Sequence, residues 1–315
     1  MDSKANISYI TLGGFVEVEK YKFLYFFIML IVYIVIICSN VTIVCLIWIH
    51  QNLHEPMYIF IAALLCNSVL FSSVIYPKML LDFLSEKQVI TISACLFQCF
   101  LYYSFGGSEF VLLAVMAYDR YVSICKPLQY PNIMGKTNIK STVYGFLVLA
   151  WLVPSVQISV PNILIAKTKL CNPTLKGIYC NNLIYKLHCT MSKAMSIYGV
   201  VVLINVAILP VFFILFTYAK IFVITYRSCK EVRKKAAETC LPHLFVLINF
   251  SCLLTYDVVT VKLEFDVSKT VRLIMTLQVV LYHPLVNPII YGLKMKEISK
   301  HLKRLFMTEN VKMIE

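Results

Sequence analysis

Long apolar runs, separated by short polar or charged stretches, recur along the chain near 23–49, 57–84, 93–125, 140–160, 195–226, 237–261 and 271–293. Each is of the order of the about 20 residues that a helix needs to cross the hydrocarbon core of a bilayer. The apolar positions are continuous instead of alternating, which predicts helices and argues against the strands of a barrel. The third run is longer than a bilayer requires, so it tilts or protrudes. Pro154, Pro210, Pro242, Pro284 and Pro288 lie inside or at the ends of these runs. In lipid such prolines kink a helix without abolishing it, because neighbouring groups satisfy the freed carbonyls. The pattern predicts an all-α membrane protein, with a tail at 1–22, a seven-transmembrane helix bundle at 23–293 and a distinct segment at 294–315.

That last segment begins KMKEISKHLKRLF, with apolar residues at Met295, Ile298, Leu302, Leu305 and Phe306. These spacings suit one face of a helix, and lysines and arginines occupy the other. A short amphipathic helix on the inner membrane surface is expected. The competing reading is a solvated basic tail.

Composition agrees with the pattern. Of 315 residues, 60% are hydrophobic and only 14% charged, and mean hydropathy is +0.78. A soluble domain of this size would need more charge to cover its surface. The net charge of +13 would suggest nucleic acid in a soluble protein, but here the basic residues sit between apolar runs and form no basic stripe. The first residues show no cleavable-signal pattern, so the first run is expected to act as its own insertion signal.

Charge also orients the chain. Arg227–Lys235 reads RSCKEVRKK, and Lys294, Lys296, Lys300, Lys303 and Arg304 follow the last span. Short basic segments beside spans stay in the cytoplasm. An odd number of spans then leaves the N-terminus outside, where the sequon Asn6-Ile7-Ser8 could be glycosylated. The bias is imperfect, since the loop before span five holds Lys167, Lys169, Lys176, Lys186 and Lys193 without an acid among them.

Of 12 cysteines, Cys38, Cys45, Cys66, Cys99, Cys125, Cys229, Cys240 and Cys252 fall within or beside spans and are expected to behave as small hydrophobes. Cys95, Cys171, Cys180 and Cys189 lie on the outer side, where disulfides persist. Four cysteines allow three pairings. A zinc site using Cys180, His188 and Cys189 lacks the two close pairs such sites show.

Few acids enter the spans: Glu109 and Asp119 on the third and Asp257 on the sixth. Each charge in hydrocarbon costs at least about 2.5–3.5 kcal/mol, so such residues face the bundle interior and take partners. Asp119 and Arg120 are adjacent near the cytoplasmic end of span three, where pairing is possible close to water.

The surrounding MAYDRYVSICKPLQY, Met116–Tyr130, resembles the signature of odorant receptors, a branch of the rhodopsin-like G-protein-coupled receptors. The resemblance covers almost the whole chain. LHEPMYIF (Leu53–Phe60) looks like the family's first inner loop and start of helix two. Asn40 falls where helix one usually carries an Asn. KAAETCLPHL (Lys235–Leu244) is similar to the odorant-receptor start of helix six. NPIIY (Asn287–Tyr291) is the helix-seven signature of the wider class. Some of the wording looks like the fish-type branch.

The resemblance implies two disulfides, Cys95–Cys180 and Cys171–Cys189, and no cofactor. It implies an activation switch at Asp119, Arg120, Tyr121, Tyr218, Asn287, Pro288 and Tyr291. Arg120 is held by Asp119 at rest and swings toward a heterotrimeric G protein on activation. It implies a plasma-membrane receptor of olfactory sensory neurons, coupled to a stimulatory subunit and cyclic AMP. The sequence departs from the family in two places. Phe250-Ser251-Cys252 stands where Phe-Tyr-Gly is common, and Ser68, preceded by Asn67, stands where helix two usually has an Asp. Glu109 is then the one carboxylate left for a sodium ion between helices two, three and seven, so sodium modulation is expected to be weak or absent.

By family depth the ligand pocket is expected at Tyr102, Tyr103, Gly106, Val202, Val206, Leu254 and Gln278. Gly106-Gly107, unfavourable in a helix, either permits close packing or leaves room for a ligand. The lysine-rich loop and Lys262 suggest an anionic or zwitterionic small molecule, with Asp257 available to an amine. The competing reading is that these lysines are solvated or pair with Glu264 and Asp266. A transporter would be expected to show internal repeats and broken midplane helices, and no such repeat is seen in the chain. An enzyme would need convergent catalytic groups, but His243 and His283 are separate in sequence.

Overall fold

The computed structural model describes residues 8–16, 18–134, 139–189, 192–226, 228–263 and 268–312. Helices dominate: α1 Val18–Ile49, α2 Pro56–Leu84, α3 Ile92–Cys125, α4 Tyr130–Met134, α5 Ile139–Ala166, α6 Lys193–Leu203, α7 Leu209–Tyr226, α8 Lys230–Leu263, α9 Lys269–Lys294 and α10 Lys296–Lys312. The fifth span is α6 and α7 joined by a π turn at Ile204–Ile208. Pro210 follows that turn. Its ring has no N–H to donate and crowds the carbonyl four residues back, which favours such a local widening. Among the described residues, six segments are long and apolar enough to cross a membrane, from Glu19–Ile49 to Lys269–Lys294. The remaining span is α8, which opens on charged residues and packs against α3, α7 and α9 within the same bundle.

Lipid explains the surface. Large apolar side chains such as Trp48, Ile163, Phe212 and Phe216 face outward. Polar ones such as Asn40, Asn67, Ser68, Glu109 and Asn287 are buried. The backbone cannot bond to water in hydrocarbon, so helices satisfy it internally and polar side chains turn toward one another. The cysteine expectation changes here. Cys99 is buried, but Cys38, Cys45, Cys66 and Cys252 face outward toward lipid.

Polar caps start the helices on the outer side. Thr91, Ser192 and Ser268 each accept a hydrogen bond from the backbone N–H three residues on, at 3.2–3.4 Å. On the cytoplasmic side, Pro56 opens α2 at a position where its missing N–H costs nothing.

The segment expected as a plain outer tail is structured from Tyr9. β1 (Tyr9–Leu12) is the centre of a three-stranded sheet, antiparallel to β2 (Val89–Thr91) and parallel to β3 (Thr174–Leu175). The disulfides Cys95–Cys180 and Cys171–Cys189 hold the loop before α6 against α3 and upon itself. Asn6 lies outside the described residues.

At the inner side, α10 packs partly on the bundle. Ile298 and Met295 are buried with Ile43 and Leu53, whereas Leu305 faces away. The amphipathic face thus divides between protein and membrane surface.

Candidate functional site

Three layers of chemistry are arranged along α3. The outermost is a cavity of about 490 Å³ lined by α2, α3, α5, α6, the π turn, α8, α9 and the disulfide-held loop. Its floor and walls are largely apolar, with Phe71, Phe110, Phe250, Val202, Val206 and Leu254 among them. Polar groups gather at the loop end: Asn182, Tyr185, Lys186 and Ser196. Tyr102 accepts a hydrogen bond from Tyr179 at 3.1 Å, and the Tyr103 hydroxyl accepts one from the backbone N–H of Asn182 at 3.1 Å. These two tyrosines tie the loop to α3.

The two glycines have different uses. A methyl group at Gly107 would come within 2.5 Å of Val206 and 2.9 Å of Pro154, so this glycine permits close packing of α3 on α5 and the π turn. At Gly106 the nearest atom to such a methyl would be the ring edge of Phe250, at 3.8 Å, so this glycine leaves room in the cavity.

Below the cavity floor lies a buried polar cluster. Asn67 donates to Oε2 of Glu109 at 3.1 Å, and Asn287 donates to Oε1 at 2.9 Å and to Ser68 at 2.8 Å. Trp151 donates to the Asn67 carbonyl oxygen at 3.1 Å, which fixes that carboxamide's orientation. Nε2 of His283 is 3.2 Å from Oε1 of Glu109.

The innermost layer is at the cytoplasmic end. Arg120 donates through Nε to Oδ2 of Asp119 at 2.9 Å, and its Nη2 contacts the same oxygen. Tyr130, on α4, donates to Oδ1 at 3.1 Å. Burial and then the Asp119 carboxylate push the Tyr130 phenol above its ordinary value, so it stays a donor. Asp119 is fully buried. The Tyr218 hydroxyl is paired with Nδ1 of His243 at 3.1 Å, and the His243 and Tyr291 rings are 5.8 Å apart. The Tyr291 hydroxyl has no hydrogen-bond partner among the described residues. Tyr121 is near Lys126, whose ammonium is 5.9 Å from its ring.

Comparison with known proteins decides the family. The family model described as olfactory receptor matches residues 29–309. The chain is 32% identical to human olfactory receptor 11A1 over 98% of its length and 97% of the relative's. It is 30% identical to mouse olfactory receptor 4B13 over 96% of its length and 97% of the relative's. Human olfactory receptor 52K1 is 31% identical over 89% of this chain and 88% of its own.

The chain belongs to the olfactory receptor family. As an olfactory receptor it is a multi-pass plasma-membrane G-protein-coupled receptor, and not an enzyme.

In this receptor Tyr102, Tyr103, Gly106, Val202, Val206 and Leu254 line one cavity. Gln278 is not among its lining residues, and the next residue, Val279, is. One residue on a helix turns the side chain by about 100°, so depth alone selected the wrong neighbour. The side chains of Asp257 and Lys262 lie outside those described, as do Glu264 and Asp266. Asp119 and Arg120 stand together, but Tyr218 and Tyr291 are gathered around His243. Sequence reasoning missed Tyr130, Trp151, His243 and the His283–Glu109 contact. The available signal was the same for all but Tyr130: a polar or indole group inside an apolar run requires a partner.

Proposed function

We propose that this receptor binds a small-molecule odorant in the outer cavity and activates a heterotrimeric G protein of the stimulatory, olfactory type, raising cyclic AMP. The observation that carries the reading is that α3 runs from the cavity to the cytoplasmic ion pair. Gly106 lines the cavity and Arg120 is held by Asp119 on the same helix, about 21 Å apart at the helical rise. A ligand that favours one placement of α3 changes the population of the cytoplasmic latch, by as much as its affinities for the two states differ.

In this reading Asp119 and Tyr130 restrain Arg120 at rest. Tyr218 exchanges its His243 partner for the neighbourhood of Arg120 on activation, and Asn287, Pro288 and Tyr291 move with α9. Tyr121 and the basic inner segments face the G protein. The ligand has an apolar body and a polar head directed to the loop end of the cavity. An anionic or zwitterionic head fits Lys186, the lysine that lines the cavity among the described residues. Lys262 and Asp257 remain candidates for the same role.

A cyclic AMP reporter in cells with verified surface receptor tests the reading, using matched aliphatic and aromatic carboxylates, alcohols, ketones and amines. An agonist whose potency falls in Leu254→Trp, with surface level retained, supports the cavity assignment. An agonist indifferent to changes at Gly106, Val206 and Leu254 would place binding elsewhere.

A further inference from the structure

The carboxylate of Glu109 is fully buried in the middle of the bundle. Its described hydrogen-bond donors, Asn67 and Asn287, are neutral carboxamides. They orient the charge without cancelling it. The cationic side chain Arg120 is eleven positions farther along α3, about 16 Å at the helical rise, and is taken by Asp119.

His283 is different. It is 2% exposed, and its Nε2 lies 3.2 Å from Oε1, at ion-pair distance without the alignment of a hydrogen bond. It is one helical turn before Asn287 on α9, so both residues meet the same oxygen from one helix face. Its ring is also packed under the cavity, 5.0 Å from Phe71 and 4.4 Å from Phe250 between centroids. Both phenylalanines line the cavity.

We propose that His283 is the resident counter-cation of Glu109, a side chain filling the role that a bound metal ion would otherwise fill between α2, α3 and α9. Its position gives the pair a second property. A ligand that displaces Phe250 or Phe71 presses on the group that neutralises the buried carboxylate, and through it on Asn287. The charge assignment itself needs no ligand and stands apart from the odorant reading.

The test is a double-mutant cycle on the full-length receptor, read as surface level and as thermal stability in detergent. Removing one member of a buried ion pair strands the other, so His283→Ala is expected to lower surface receptor at least about fivefold. Glu109→Gln keeps the shape and removes the charge, and an imidazole is neutral where no anion faces it, so this variant is expected to stay within about twofold of wild type. The double variant is expected to recover to near the Glu109→Gln level, because no charge is left stranded. A double variant as poor as His283→Ala would overturn the proposal, showing that the imidazole fills space only. Wild-type receptor is also expected to keep its melting temperature when sodium replaces choline in the buffer. A sodium-dependent rise that disappears in Glu109→Gln would equally overturn it, since a metal ion and not His283 would then neutralise the site.

Discussion

The hydroxyl of Tyr218 stands 3.1 Å from Nδ1 of His243, joining the fifth span to the sixth beside the ring of Tyr291. The contact occupies a tyrosine that the switch needs near Arg120. On the proposed switch it is therefore a restraint on activation as well as a packing contact.

His243→Phe keeps a ring in place and removes the hydrogen-bond partner. Loss of a contact worth about 1 kcal/mol shifts a two-state ratio about fivefold. Ligand-free cyclic AMP, normalised to surface receptor, is expected to rise by up to that factor. Unchanged basal signal and unchanged agonist potency would remove His243 from the switch.

Tyr130→Phe frees one oxygen of Asp119 while leaving the Arg120 contact. A smaller rise in basal signal is expected, about two- to threefold for part of one hydrogen bond. Arg120→Gln in the same assay is expected to abolish the agonist response with the receptor still at the surface. A full response from that variant would contradict the latch.

The two adjacent glycines are expected to part company on mutation. Gly107→Ala drives a methyl into Val206 and Pro154, and overpacking of this kind costs about 1–3 kcal/mol. Its melting temperature in detergent should fall. Gly106→Ala meets only ordinary contact at 3.8 Å, and alanine is favoured over glycine in a helix by up to about 1 kcal/mol. It should be as stable as wild type or more so, with agonist potency altered. Equal losses at both positions would refute the division.

Acidification should loosen α10. The His301 and His50 rings are 3.8 Å apart, and Asn52 contacts His301 at 3.3 Å. Burial, then His50 and Arg304, hold the His301 imidazole below its ordinary value, with Glu297 opposing and Lys300 adding a small push in the same direction as Arg304. A histidine lowered in the folded state contributes stability that is present above the unfolded value near 6.5 and lost as pH falls through the folded value. Amide exchange in α10 should therefore speed up between pH 7.5 and 5.5 beyond its intrinsic pH dependence. His301→Asn should flatten that difference. Exchange insensitive to pH in the wild type would show that these His301 contacts do not hold α10 in a pH-dependent way.

The spans were legible in the sequence because each is a continuous apolar run, and lipid permits little else. The Asp119–Arg120 pair was legible because charge at the end of such a run is costly unless paired. Gln278 and the shape of α10 were less so. Depth along α9 could be read from the chain, but the rotation that brings one of two adjacent residues to the cavity is set by packing against neighbouring helices. That is why Val279, and not Gln278, reaches the cavity.

By itself the sequence determined the number of spans, their order, the cytoplasmic side, and which residues were too polar to face lipid. The tertiary structure decided which polar residues answer one another. His283 meets Glu109 across a sequence separation of 174 only because α9 packs beside α3's neighbour α2 and turns one face inward. Tyr9–Leu12 becomes a strand only because two distant loops offer it edges. Partnership between helices is set by rotation and crossing, and these depend on side-chain packing between segments that a linear pattern does not relate.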